Sequence, residues 1–178
     1  MEKLTLKQLD SSNLQQAAQC ESEFLVTGRL RLRVESNQIT YTTEELPDYT
    51  KRYDESDLDP SLYIGNPERI AYLAYLDDQL AGEIYIRKNW NRFAYIDSIA
   101  VNPSFRRKGV GRALIEQARH WARKLGLPGM MLETQDINLQ ACQFYQSCGF
   151  QLGGFDKFLY QGLMPGTQEV ALYWYEIF

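Results

Sequence analysis

The sequence predicts a mixed α/β fold, with one central, mostly antiparallel sheet flanked by helices on both faces. Three observations favour it. Several segments alternate apolar and polar residues and are joined in pairs by short turns, which indicates antiparallel hairpins. Two segments with helical spacing of apolar residues each follow an extended apolar segment. The 178 residues contain no internal repeat, low-complexity segment or linker, so we expect a single domain over 1–178.

The first third of the chain is predicted to contain a strand, a helix and a hairpin. Leu4 to Leu9 alternates weakly and is predicted as a strand. Apolar residues from Asn13 to Val26 recur at helical spacing, and the first residue of this range is a suitable N-cap. Leu30 to Val34 alternates with arginines, and Ser36-Asn37 turns the chain toward Ile39 to Thr42, which predicts a hairpin.

The middle of the chain is predicted to contain an acidic loop and a second hairpin. From Glu44 to Asp59 the residues are polar and acidic, which is typical of a loop or a short irregular helix. Ile70 to Leu76 and Leu80 to Lys88 are both apolar and extended, and Asp77-Asp78-Gln79 joins them. These two segments therefore predict a pair of antiparallel strands.

The rest of the chain is predicted as strand, helix, strand, helix and two final strands. Gly126 and Gly149 follow the two helical patterns, where glycine commonly ends a helix. Asn138 precedes the second helix as its expected cap. The predicted ranges, in chain order, are 94–101, 109–125, 130–135, 139–148, 150–160 and 169–178.

Charge and composition exclude several classes of protein. The net charge of -4 and the pI of about 5.1 argue against a dedicated nucleic-acid-binding protein and favour cationic ligands. No apolar run is long enough for a membrane span, and the amino terminus has no signal-peptide core, so we expect a cytoplasmic protein without a membrane partner. Cys20, Cys142 and Cys148 lack metal-ligand spacing, so we expect reduced cysteines and no metal site.

A basic, glycine-containing segment predicts an anion site between the strand predicted over 94–101 and the helix predicted over 109–125. The segment runs from Arg106 to Arg112, and its glycines, Gly109 and Gly111, allow close approach of a ligand to the backbone. Helix starts present backbone N–H groups to phosphate oxygens. The spacing fits neither a nucleotide P-loop nor the dinucleotide fingerprint. The alternative is a solvated basic turn that opens a surface helix.

A second pattern, Asn138-x-x-Ala141-x-x-x-Tyr145-x-x-x-Gly149-Phe150, lies on the second helix. Ala141 and Tyr145 share one face of that helix, so the small residue leaves space beside the phenol. The alternative is a core tyrosine with an alanine spacer. Taken together, this pattern and Arg-x-x-Gly-x-Gly resemble the acetyl-CoA signature of the GNAT acetyltransferase superfamily.

The resemblance implies acetyl-CoA as cosubstrate, bound mainly within residues 70–160. In that family the glycine-containing segment binds the pyrophosphate through main-chain amides, the asparagine contacts the pantetheine and the tyrosine faces the sulfur. The expected cofactor-binding residues are Ile99, Ala100, Val101, Arg106, Arg107, Lys108, Gly109, Val110, Gly111, Arg112, Asn138 and Tyr145.

Amine acetylation requires an acid for the leaving thiolate and a base for the attacking amine. A phenol with a pKa near 10 suits the acid, which favours Tyr145. The N–H groups of Ile99 to Val101 are expected to stabilise the oxyanion. For the base we favour Asp97, expected on one strand face with Tyr95, Ile99 and Val101; the alternative is a carboxylate paired with arginine.

Two other carboxylates are alternative candidates for the base. Either one could instead bind the positive charge of the substrate. They are Glu83 and Glu133, both on predicted strands next to the strand of Asp97. Some relatives carry glutamate in place of Asp97, and the shorter side chain here favours a water relay.

Several segments resemble streptothricin acetyltransferases in particular, and the likeness covers most of residues 45–178. These segments are 49–54, 89–91, 132–135, 142 with 148–150, 152–156 and 171–175. The resemblance implies acetylation of an amino group on the β-lysine part of this antibiotic. Asp54 and the acidic residues around it suit such a cation, although a charge run is also typical of a solvated face.

Other functions remain open at this point. Polyamine acetylation and protein N-terminal or lysine acetylation use the same chemistry, and a non-catalytic acyl-CoA-binding regulatory domain would keep the cofactor site alone. We also expect a homodimer. Intact Tyr145 beside a carboxylate favours the enzyme.

Overall fold

A computed structural model describes residues 2–53 and 57–178 and shows a mixed α/β fold with mostly antiparallel strands. The strands are β1 (Leu4–Gln8), β2 (Phe24–Glu35), β3 (Gln38–Lys51), β4 (Arg69–Leu76), β5 (Gln79–Lys88), β6 (Ala94–Val101), β7 (Gly129–Gln135), β8 (Gln151–Asp156) and β9 (Ala171–Ile177). The α-helices are α1 (Val110–Lys124) and α2 (Leu139–Ser147), and the 3-10 turns are Leu14–Gln16, Pro60–Tyr63, Pro103–Phe105 and Leu159–Gly162. The predicted fold class is confirmed.

The described residues form two compact units. The first contains residues from 1–22 and 53–130 together with Phe178, and the second contains 23–52 and 131–177. The expectation of one domain over 1–178 stays a prediction.

In the first unit, β1, β4, β5 and β6 form an antiparallel sheet in the order β1-β4-β5-β6. The predicted hairpin of β4 and β5 is confirmed, and Leu76 pairs with Gln79 across its turn. Asp77 and Asp78 have φ values of 48° and 63°. Positive φ at both turn residues matches the right-handed twist of the strands, and aspartate tolerates it.

The two faces of this sheet have different cover. A Cβ on Gly82 would lie 3.0 Å from Val110 Cγ1 and 3.2 Å from Leu114 Cδ1, so α1 packs closely against one face at this glycine. On the opposite face Tyr63, Leu73 and Tyr85 belong to a buried cluster that also includes Leu9, Ala71 and Tyr75. That second face carries the polar side chains described below.

The second unit contains the long hairpin of β2 and β3, helix α2, most of β7, and the pair β9-β8. The Ser36-Asn37 turn is as predicted, with φ values of 48° and 63°. Arg29 Nε lies 3.1 Å from Asp136 Oδ2, and both side chains are largely buried. Lys51 pairs with Glu169. These ion pairs attach β2 and β3 to the chain after β7 and before β9.

The predicted helix over 13–26 is wrong. Only Leu14–Gln16 forms a helical turn, and β2 begins at Phe24. Asn13 does not cap a helix, because its Oδ1 accepts the N–H of Asp10 and its Nδ2 donates to the carbonyl of Gln8. From Phe24 onward buried and exposed residues alternate, and this two-residue period is that of a strand.

Two further boundaries differ from the prediction. The expected loop from residue 44 is strand up to Lys51, because β3 stays paired with β2 as far as Phe24. The strand expected over 150–160 ends at Asp156, whose Oδ1 accepts the N–H groups of Phe158 and Leu159 and so starts a turn.

Candidate active site

The loop between β6 and α1 leads into the helix start that the sequence predicts as an anion site. Gly109 has φ +85°, and no atom lies within 4 Å of a Cβ built on it. The first backbone bond of α1 joins Ala113 N to Gly109 O at 3.0 Å. The N–H groups of Val110 and Gly111 precede that bond in the chain, where helical donors point away from the helix toward a ligand.

Two of the cations in this loop, Arg106 and Lys108, contact other groups of the protein. Arg106 Nε donates to the carbonyl of Val101 at 3.1 Å, which folds the loop back onto the end of β6. Lys108 Nζ lies 2.7 Å from Glu2 Oε1 and 5.8 Å from the ring centroid of Phe105. Arg107 has φ +62°. Arg106 and Lys108 thus already have partners within the protein, and the anion site itself stays a prediction.

Asn102 attaches the start of the same loop to its surroundings. Its Nδ2 donates to the carbonyl of Leu80 at 3.0 Å, and its backbone N–H donates to Ala81 at 2.9 Å. Its Oδ1 accepts the N–H of Glu21 at 3.0 Å. Three bonds from one residue fix where β6 ends and the loop begins.

A β-bulge at Asp97 changes the faces of β6. Tyr85 pairs with Ser98 and Ile86 with Ile96, so Asp97 is the extra residue. Tyr95 pairs with Arg87, and Ile99 pairs with Ile84, three residues earlier on β5 and thus on the opposite face. The expectation that Asp97 and Tyr95 share a face with Ile99 and Val101 is wrong, because the bulge breaks the alternation.

Both carboxylate oxygens of Asp97 accept hydrogen bonds. Arg87 Nε donates to Oδ1 at 2.8 Å, and the Tyr63 hydroxyl donates to Oδ2 at 2.7 Å. The Asp97 side chain is 17% exposed. Burial, together with this carboxylate, raises the pKa of Tyr63. The pairing with arginine that the sequence left open is therefore present.

Glu83 is buried on β5 and holds a neighbouring segment. Its carboxylate accepts the backbone N–H groups of Ala18 and Cys20 at 2.8 and 2.9 Å and the hydroxyl of Tyr85 at 2.8 Å. Ala18 has φ +56°. Carboxylates bond strongly to backbone N–H groups, so Glu83 fixes the segment 18–20 that leads toward β2.

On α2, the structure confirms the predicted cap and buries the predicted tyrosine. Asn138 Oδ1 accepts the N–H of Ala141 at 3.2 Å. Tyr145 is 8% exposed and packs edge-on against Phe150, with ring centroids 6.0 Å apart. Burial raises the pKa of Tyr145, so its phenol stays protonated at neutral pH.

Glu133 on β7 combines burial with one phenol partner. Burial raises the pKa of Glu133 to about 7. The Tyr160 hydroxyl donates to Glu133 Oε1. Glu133 also acts electrostatically on Tyr145 and Tyr173. Sequence reasoning missed Tyr160, because a tyrosine in a turn-rich segment carries no local signal of what its hydroxyl reaches.

The remaining expectations concern groups outside these clusters. Asp54 lies outside the described residues. Among residues 2–53 and 57–178, no group of three or more His, Cys, Asp and Glu side chains is arranged to hold a metal ion. Nor does any helix in that part of the chain have the length and apolar character to span a bilayer.

Comparison with known proteins decides the family. The model of the acetyltransferase (GNAT) family matches residues 34–150, which is more than half of the chain. The chain belongs to the GNAT family of acetyltransferases. This GNAT protein is 42% identical to streptothricin acetyltransferase A of Bacillus subtilis, over 85% of this chain and 87% of the relative. It is 36% identical to a streptothricin acetyltransferase of Escherichia coli, over 87% of this chain and 86% of that one.

Solved GNAT structures support the same assignment. A Bacillus anthracis acetyltransferase in complex with acetyl coenzyme A has a TM-score of 0.90 and 42% identity, covering 99% of this chain and 98% of its own. A nourseothricin acetyltransferase has a TM-score of 0.81 and 27% identity, covering 98% of both chains. This GNAT protein is thus an acetyl-CoA-dependent N-acetyltransferase, with acetyl-CoA as cosubstrate.

Proposed function

We propose that this acetyltransferase moves the acetyl group of acetyl-CoA to an amino group on the β-lysine part of streptothricin and so confers resistance to that antibiotic. The observation that carries the proposal is the likeness to streptothricin acetyltransferase A, which extends over 85% of this chain and 87% of the relative. The match spans 153 residues, more than the cofactor-binding region expected over 70–160, and this supports a shared acceptor as well as a shared cofactor.

The proposed cofactor contacts are those that the sequence predicts. The amides at the start of α1 would bind the pyrophosphate, and the open space at Gly109 supports close approach there. Residues 106–112 and 99–101 would line the diphosphate and the thioester, and Asn138 would contact the pantetheine. Tyr145 would face the sulfur.

For the chemistry, we propose Tyr145 as the acid and Glu133 as the base. An ammonium group must lose a proton before it attacks, and a carboxyl with a pKa of about 7 suits that transfer near neutral pH. Both oxygens of Asp97 already accept bonds, one from the guanidinium of Arg87. Asp97, which the sequence favours, is therefore the second candidate, and kcat/KM profiles of Glu133→Gln and Asp97→Asn against pH distinguish the two.

Negative charge is the proposed basis for choosing a cationic acceptor. The net charge of -4 and the acidic residues around Asp54 support this choice. The sequence offers Glu83 as a further candidate for this contact, but the Glu83 carboxylate already accepts three hydrogen bonds. We therefore assign Glu83 to the segment 18–20. The cytoplasmic location and the homodimer expected from the sequence stay predictions.

The test is acceptor specificity with the purified protein. Acetyl-CoA is incubated with streptothricin, spermidine, an aminoglycoside and lysine-containing peptides, and free thiol and product mass are recorded. We expect thiol release and a singly acetylated product with streptothricin at a kcat/KM at least about tenfold above every other amine. A preference for spermidine or a peptide would overturn the substrate assignment, and acetyl-CoA binding without thiol release for any amine would overturn catalysis.

A further inference from the structure

Tyr160 differs in burial from the rest of the segment in which it lies. In residues 157–167, between β8 and β9, Tyr160 is the one buried side chain, at 5% exposure. By contrast, its neighbours Phe158 and Leu163 are 70% and 80% exposed. A segment that exposes its apolar residues and buries a phenol is not placed by apolar burial alone, so the hydroxyl contact needs its own explanation.

Local hydrogen bonds hold the backbone on both sides of Tyr160. Asp156 Oδ1 accepts the N–H groups of Phe158 and Leu159 at 2.7 and 3.1 Å. After the tyrosine, Met164 N donates to the Tyr160 carbonyl at 2.8 Å. These bonds fix the position from which the side chain reaches β7.

The hydroxyl of Tyr160 ends on the carboxylate of Glu133. It donates to Oε1, which leaves Oε2 as the atom to take a proton. Besides its hydrogen bond from Tyr160, Glu133 interacts electrostatically with Tyr145 on α2 and Tyr173 on β9. A phenol donor stabilises the ionised carboxylate against the burial that favours its neutral form.

We propose that Tyr160 is a positioning residue, which holds Oε1 of Glu133 so that Oε2 receives the proton of the acceptor's ammonium group. The inference rests on the function proposed above. The amine nitrogen then bonds to the acetyl carbon, the carbon–sulfur bond breaks, and the thiolate takes its proton from Tyr145. The second proton that the nitrogen loses as it becomes an amide returns through water to the Tyr145 phenolate. The proton on Glu133 leaves to solvent before the next turnover.

The first test compares Tyr160→Phe with Tyr41→Phe. The control removes a phenol hydroxyl from β3, where the ring packs edge-on to Trp174. We measure kcat/KM for streptothricin from about pH 5 to about pH 9. Losing the hydrogen bond to the charged carboxylate should move the acidic limb upward by about one pH unit in Tyr160→Phe, and KM for acetyl-CoA should stay unchanged. The control should keep the wild-type profile.

The second test reads Glu133 directly. Carbon-13 NMR of glutamate-labelled protein gives the titration of this carboxyl, and the signal missing in Glu133→Gln assigns it. We expect its pKa to rise in Tyr160→Phe and to stay in place in Tyr41→Phe. An unmoved Glu133 titration in Tyr160→Phe would overturn the inference.

The two readouts separate this inference from the proposed function. If the Glu133 pKa rises in Tyr160→Phe while Glu133→Gln keeps the wild-type rate, the base assignment fails and the positioning role falls with it. If streptothricin is not acetylated but another amine is, the pH profile is recorded with that amine. A shifted acidic limb then supports the role of Tyr160 although the substrate assignment has failed, and an unshifted limb overturns that role.

Discussion

Tyr145 is suited to its proposed role by its surroundings on α2. Its phenol is buried against Phe150, and burial raises its pKa, so the proton is retained until a developing thiolate can accept it. A tyrosine at the surface would be equally protonated at pH 7 but would compete with water for the sulfur.

Replacing Tyr145 with phenylalanine should therefore affect turnover more than binding. We expect kcat to fall by about 100-fold or more, while the acetyl-CoA Kd changes by less than about threefold. Steady-state kinetics and isothermal titration calorimetry measure the two quantities. An unaltered kcat would reject the acid role.

Glu133 gives a prediction on stability that does not depend on activity. Its pKa in the folded protein is raised from 4.5 to about 7, so the folded state holds the proton more tightly than the unfolded state between these values. The stability present at low pH is lost as the pH rises through about 7.

Glu133→Gln removes this loss, because glutamine does not ionise. At about pH 8 we expect the variant to exceed the wild type in free energy of unfolding by up to about 3 kcal/mol, and at about pH 4 the difference should vanish. Urea denaturation at both pH values measures it. If the free energies of unfolding of variant and wild type differed by the same amount at both pH values, the pKa of the Glu133 carboxyl would not be raised.

At the scale of elements, the start of α1 depends on the backbone and not on its cations. Arg106 and Lys108 are bonded to Val101 and Glu2, so we expect the N–H groups at the helix start, rather than these two side chains, to supply most of the attraction to a diphosphate. An added carboxylate at that point would occupy the space and repel the ligand.

We therefore expect Gly111→Asp to weaken acetyl-CoA binding by at least about 100-fold with little effect on folding. Lys124→Asp is the matched control, since it puts the same group at the opposite end of α1. Calorimetric titration with acetyl-CoA measures both variants, and circular dichroism checks the fold. Wild-type affinity in Gly111→Asp would exclude the helix start as the diphosphate site.

The bulge in β6 is the other element with consequences for the site. One extra residue lets Asp97 reach Arg87 and Tyr63 while Ile99 and Val101 lie on the face that α1 covers. Without the extra residue, Asp97, Ile99 and Val101 would all lie on one face of β6. The bulge thus separates a polar network from an apolar packing surface within eight residues of strand.

For the whole molecule, acetyl-CoA should stabilise the fold, because a cosubstrate that binds only the native state shifts the unfolding equilibrium. At a concentration about 100-fold above its Kd we expect about 2.7 kcal/mol, which raises the Tm of a chain of this size by about 5–10 °C. Differential scanning fluorimetry with and without acetyl-CoA measures the shift. Gly111→Asp, with at least about 100-fold weaker binding, should gain at most about 0.4 kcal/mol, or about 1–2 °C, at the same concentration. A shift equal to that of the wild type in this variant would contradict the proposed site.

Prediction from sequence succeeded for the elements whose signals are local. The Asp77-Asp78 turn, the helix start at Gly109 and the cap at Asn138 each depend on a few neighbouring residues. It failed over 13–26, where apolar spacing fits a helix but pairing with β3 makes the later part a strand. Tertiary pairing outweighs such a weak local preference.

The sequence by itself determined the mixed α/β class, the two hairpin turns, both α-helices and the glycine-rich helix start, because the turn chemistry and periodicity that specify them lie within a few residues. Only the tertiary structure decided which side chains meet. Asp97 pairs with Arg87 because of a one-residue bulge, and Glu133 meets Tyr160 across 27 positions of sequence. Such contacts depend on strand register and on where distant parts of the chain meet, and the local sequence around each residue specifies neither of these.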